Sequence, residues 1–109
     1  MKRKKQIEAR LRACLAKYRW ELWSEELSYD NQFPDCYEIP QKVEDEAMAK
    51  CPDGKPIPYN YGHYCAYEMA WVLGVDIDKK IDKFHDEIQQ YLEKPKVKKA
   101  FAAWREENH

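Results

Sequence analysis

The side chains best equipped for chemistry lie in the middle of the chain: Cys36, Cys51, His63 and Cys65. Thiolate and imidazole suit zinc, and Cys51-Pro52-Asp53-Gly54 has the form of a knuckle turn. The spacing argues against a complete site. Structural zinc ligands usually come in pairs about two to four residues apart, whereas fourteen residues separate Cys36 from Cys51. His63 and Cys65 are two apart and so point to roughly opposite sides of a helix. Cys14 and Cys65 also fall on apolar stripes, where a free thiol behaves as a small hydrophobe. The expectation is therefore reduced, buried or incidental thiols and no cofactor. A zinc-stabilised module using Cys36, Cys51, His63 and Cys65 is the alternative.

Nucleophilic catalysis needs a cysteine or serine within reach of a histidine and a group that orients it. The histidines are His63, His85 and His109. His85 shares a polar helix face with Asp82, Lys83 and Asp86, which reads as solvated surface. The three glycines, Gly54, Gly62 and Gly74, form no phosphate-cradling loop, and neither G-x-S-x-G nor H-E-x-x-H occurs. The residues therefore point away from an enzyme. Glu68 is the one Asp, Glu, Lys or Arg between Pro56 and Val75. In a buried helix it would need an ion-pair partner or an edge position that reaches water, and otherwise its pKa would rise as in a functional site.

Charge is divided along the chain although the net charge is -1. Residues 1–20 carry eight Lys/Arg against Glu8, a balance of +7. Residues 21–60 carry ten acids against Lys42, Lys50 and Lys55, a balance of -7. The basic segment, with Lys4, Lys5, Arg12 and Arg19, could contact phosphates, so a nucleic-acid-binding domain is the second expectation. The acidic remainder and a pI of about 6.3 oppose it. Fifteen aromatics are more than one small core obviously needs. Trp20, Trp23, Tyr29, Phe33 and Tyr37 gather where the basic segment meets the acidic one, beside Glu25, Glu26, Asp30 and Asp35. An aromatic anchor rimmed by carboxylates suits a basic protein surface. Trp20 and Trp23 could equally complete the core, and spare aromatic surface could serve self-association.

The elements that must position these groups are helical. Ile7, Leu11, Cys14 or Leu15, Tyr18 and Leu22 recur at three- and four-residue spacing, which predicts a helix over about 4–27. Tyr64, Tyr67 and Trp71 form one stripe and Cys65, Met69 and Val72 or Leu73 another, which predicts a central, buried helix over 61–73 ended by Gly74. Asp76 as N-cap and Ile77, Ile81, Phe84, Ile88 and Tyr91 or Leu92 predict an amphipathic helix over 77–93. Val97, Ala100, Phe101 and Trp104 predict a last one over 96–107, and Pro40 with Glu44, Asp45 and Glu46 a short one near 41–50. Ser28 to Ile39 and the segment around Pro52, Pro56 and Pro58 read as connections. No segment alternates with period two. The fold class is all-α, a single-domain bundle of four main helices plus a short one.

No apolar run follows the charged N-terminus and none approaches the roughly 20 residues of a membrane span, so the expected location is the cytoplasm, away from membranes. A short, charged, aromatic-rich helical chain without catalytic parts is similar in character to many small phage and mobile-element proteins. Some of those bind and block a host protein. The expected function is a non-enzymatic interaction module, an inhibitor or adaptor for a basic partner protein.

Overall fold

The computed structural model describes residues 3–27, 39–48 and 62–107. Among them are five helices and no strand: α1 (Lys4–Leu27), α2 (Gln41–Met48), α3 (Gly62–Leu73), α4 (Asp78–Leu92) and α5 (Pro95–Glu107). The all-α reading of four main helices and a short one is met, each boundary within two residues. The segments 28–38 and 49–61 lie outside the described residues.

Local signals account for the helix ends. The Gln6 side chain reaches back to accept the Arg3 backbone N–H at 3.0 Å, half of a capping box that opens α1. α3 closes at Gly74, whose φ of 68° is the left-handed conformation open to glycine. Around it the N–H of Val75 donates to the carbonyl of Ala70 at 3.0 Å and that of Gly74 to Trp71 at 3.1 Å, the two bonds of a Schellman motif. Asp76 does start α4, but from one position further out than a standard N-cap. Ile77 occupies the cap, and the Asp76 carboxylate accepts the Asp78 N–H at 2.8 Å. Pro95 stands at the first position of α5, where its missing N–H costs nothing.

The central helix is α1, not α3. Leu11, Cys14 and Leu15 pack with Ala66 and Ala70 of α3 and with Ile77 and Ile81 at the start of α4. Leu22, Trp23 and Leu27 form a second cluster with Val43 of α2 and Ile88 of α4. Tyr18 and Phe84 border both clusters. Leu27, Ile88 and Val43 are fully buried, and each such side chain stabilises the fold by about 1.5–3 kcal/mol. Because α2, α3 and α4 approach α1 from different sides, its apolar residues spread around the axis instead of forming one stripe. α3 and α4 each pack on α1 without close backbone approach to one another. α5 touches only α4. The molecule is long as a result, 55 × 25 × 21 Å, with a radius of gyration of 16.1 Å against roughly 13 Å for a compact chain of this length.

α3 meets α1 through its smallest residues. Gly62, Ala66 and Ala70 are buried and recur every fourth position, so they line one face. At Gly62 the contact is tightest, since a Cβ there would stand 2.7 Å from the backbone nitrogen of Tyr18 and 3.0 Å from the carbonyl carbon of Lys17. The Gly62 N–H also donates to the Glu21 carboxylate at 3.1 Å, which caps α3 from the α1 side. Small residues allow two helix backbones to approach, and they leave the large ones facing outward.

Candidate functional site

The outward face of α3 carries Tyr64, Glu68, Trp71 and Val72, all exposed, and Val75 continues the exposed row just past the helix end. At 3.6 residues per turn the first four fall within an arc of about 100°. Trp71 is 84% exposed and Tyr64 62%. Tyr67 stands at the edge of the arc, where its hydroxyl meets the Asp78 carboxylate at 3.5 Å. Burial first, and then the nearby Asp78, Asp76 and Asp82, hold the Tyr67 phenol above its usual pKa. With about 150–250 Å² per fully accessible aromatic side chain, the three rings expose on the order of 400 Å². That is the size at which an apolar patch on a monomer often serves binding.

Along this segment of the chain the fixed charges have one sign. Residues 62–78 contain Glu68, Asp76 and Asp78 and no Lys or Arg, and all three carboxylates are exposed. The nearest cations along the chain, Lys79 and Lys80, open α4. At the other end of α3, Lys17 lies 4.9 Å above the ring of Trp20. Beneath the stripe, His63 is half-buried with its ring edge-on to Tyr18, Tyr64 and Tyr67 at 5.0, 5.0 and 5.1 Å. Tyr18 also ionises later than an ordinary phenol, first through burial and then through Tyr67, Glu25 and Glu21.

A second constellation is structural. Arg19 reaches Glu87 of α4 and Glu46 of α2, with N···O distances of 2.5 and 3.0 Å for its two terminal nitrogens. The Trp23 indole N–H donates to the same Glu87 carboxylate at 3.3 Å. Hydrogen bonding to Glu87 is the largest influence holding the Arg19 guanidinium in its charged form. The network ties three helices together above the second core cluster.

These placements revise the sequence expectations. Trp23 is 3% exposed, with its ring edge-on to Tyr91 at 5.3 Å, so it is a core residue and not a surface anchor. Its size and indole N–H suit an interface as well as a core, and the core claimed it. Trp20 is half-buried beside that cluster, and Glu25 and Glu26 are exposed at the end of α1. Tyr29, Asp30, Phe33, Asp35 and Tyr37 lie outside the described residues. Of the basic set, Lys4, Lys5 and Arg12 are exposed, whereas Arg19 is committed to Glu87 and Glu46. Cys36 and Cys51 lie outside the described residues, Cys65 packs against the first core cluster, and among the described residues no three His, Cys, Asp or Glu converge to hold a metal. Glu68 takes the edge position that reaches water, and His85 is solvated. The predicted central burial of α3 is overturned, and with it the assignment of Tyr64, Tyr67 and Trp71 to the core. The signal for the correct face was present as Gly62-x-x-x-Ala66-x-x-x-Ala70.

No protein-family model matches the chain, and neither a characterised protein nor a solved structure is detectably similar to it. No helix among the described residues is long and apolar enough to cross a membrane.

Proposed function

We propose that the protein is a non-enzymatic interaction module, an inhibitor or adaptor, that binds a partner protein through the outer face of α3. The supporting observation is Trp71, which is 84% exposed and stands in line with exposed Tyr64, Val72 and Val75. Leaving that much aromatic surface in water forgoes burial that a core would have gained. Trp and Tyr are also the residues most enriched among interface hot spots. Glu68, Asp76 and Asp78 give the face a negative rim, which favours a basic partner and speeds its arrival.

The test is affinity capture from native lysate with wild-type protein, Trp71→Ala and a Glu106→Ala control on α5, read by quantitative mass spectrometry. The expected outcome is a protein retained by wild type and by Glu106→Ala and depleted on Trp71→Ala. Identical captures across the three would remove it.

A second reading, nucleic-acid binding by the start of α1, is favoured by exposed Lys4, Lys5 and Arg12. It is weaker with Arg19 engaged elsewhere. Gel-shift with single- and double-stranded probes at low salt tests it, and absence of a shift there eliminates it.

A further inference from the structure

We infer that the occupant of the α3 face is a cationic amphipathic helix of the partner, with an arginine or lysine seated over Trp71 and paired with Glu68. This rests on the reading of α3 as a docking face and specifies what it receives. The shape of the surface selects a helix. Tyr64, Trp71 and Val72 follow one side of α3 over two turns, and a narrow, straight apolar stripe on one helix is complemented by the apolar stripe of another.

Charge selects the sign of the occupant. Glu68 lies one turn after Tyr64 and one turn before Trp71, so the three residues share one face of α3 within reach of a common partner group. Among the described residues Glu68 forms no ion pair. A cation above the Trp71 face is attracted by the ring quadrupole and by Glu68 together. Arginine suits the place best, because its planar guanidinium stacks on an indole while its fork meets a carboxylate. Asp76 and Asp78, at the α4 end of the stripe, extend the same preference to a second cation about two turns further along the incoming helix.

The same charges disfavour the other occupants. A second copy pairing α3 with α3 about a two-fold axis would bring Glu68, Asp76 and Asp78 against their own equivalents, with no Lys or Arg between residues 62 and 78 to offset them. Phosphates of a nucleic acid or an anionic bilayer would meet the same carboxylates.

The experiment uses three labelled helical peptides of about 21 residues. One has leucine at the a and d positions and arginine flanking them, the second has glutamate in place of arginine, and the third is a scrambled arginine peptide with no apolar stripe. Fluorescence anisotropy is read against the full-length protein at low and physiological salt. The arginine peptide should bind, the other two should bind at least tenfold more weakly, and added salt should weaken the complex. Trp71→Ala should lower affinity about thirtyfold, as removal of a hot-spot aromatic does. Glu68→Lys should lower it about tenfold and Glu68→Gln less, while Glu106→Lys, exposed on α5 away from α3, should leave it unchanged. Far-UV circular dichroism of each variant controls for folding. Equal binding of the arginine and glutamate peptides, with Trp71→Ala still weakening both, overturns the cationic occupant but keeps α3 as the docking face. Binding of the arginine peptide that ignores Trp71→Ala overturns both. Binding of the scrambled peptide as tightly as the amphipathic one, or no binding of the arginine peptide at low salt, overturns the helix.

Discussion

The guanidinium of Arg19 grips the carboxylate of Glu87 through two parallel bonds, Nε to Oε2 at 2.7 Å and Nη2 to Oε1 at 2.5 Å. Sixty-eight residues separate them in sequence, and the pair fixes the register of α4 on α1. Neither side chain is fully buried, so the pair is neither the weak surface kind nor the costly deep kind. Its contribution lies in removing alternatives: a fork has one good way to meet a carboxylate, and Trp23 donates to the same group from below.

Breaking that pair should cost about 1–3 kcal/mol, because loss of Arg19 leaves half-buried Glu87 without its cation and loss of Glu87 leaves Arg19 with Glu46 alone. Arg19→Lys should behave as a loss, since an ammonium cannot form the two parallel bonds. Urea unfolding of Arg19→Lys, Glu87→Gln and the double variant gives the coupling. Additive single effects would mean that the pair is ornamental.

Gly62 and Gly74 should respond to alanine for different reasons. At Gly62 the new Cβ would meet the Tyr18 nitrogen at 2.7 Å. This is backbone that cannot swing aside, so α3 must lift from α1. The expected loss is about 1–3 kcal/mol despite the better helix propensity of alanine. At Gly74 nothing lies within 4 Å, and the cost comes from the φ of 68° alone, about 1 kcal/mol. Thermal unfolding should therefore order the proteins as wild type, Gly74→Ala, Gly62→Ala. The reverse order would mean that the α1–α3 contact is looser than described.

That contact also explains what the sequence disclosed and what it concealed. The bounds of all five helices were legible because periodicity, Gly74 and Pro95 mark them locally. The inward face of α3 was not, because the residues 62–73 hold apolar groups on nearly every side. Hydrophobicity ranks Trp71, Tyr64 and Tyr67 above Gly62 and Ala66 as core residues, but close helix approach inverts that ranking. The choice was made by α1, where Lys17 and Tyr18 present backbone to α3. For the same reason Trp23 could not be assigned from sequence: its partner Glu87 lies on α4, sixty-four residues away.

Alkaline pH should destabilise the fold through Tyr18 and Tyr67. Both phenols ionise at higher pH in the folded protein than the ordinary value of 10.0, Tyr18 chiefly through burial and Tyr67 through burial and then Asp78. The unfolded chain therefore loses these protons first. Stability from this source is complete below about pH 10 and declines as pH rises from there through the folded-state values. Melting temperatures between pH 8 and 11 should fall more steeply for wild type than for Tyr18→Phe. Tyr67→Phe should show a smaller change, since Tyr67 is largely exposed. Equal slopes in all three would exclude these phenols as the cause.

Trp23 and Trp71 occupy opposite environments, and that contrast tests the docking face directly. Trp23 is 3% exposed and Trp71 84%. Trp71→Phe should remove most of the acrylamide-quenchable fluorescence and shift the remaining emission to the blue. Trp23→Phe should leave the quenchable component and shift emission to the red. Stability should divide in the opposite sense. Trp23→Ala opens a cavity and removes one donor to Glu87, at a cost of about 3–5 kcal/mol, whereas Trp71→Ala should stay within about 0.5 kcal/mol of wild type. A loss above about 1 kcal/mol for Trp71→Ala, with quenching no stronger than that of Trp23, would mean that the chain covers its own α3 face. The surface offered to a partner would then be absent.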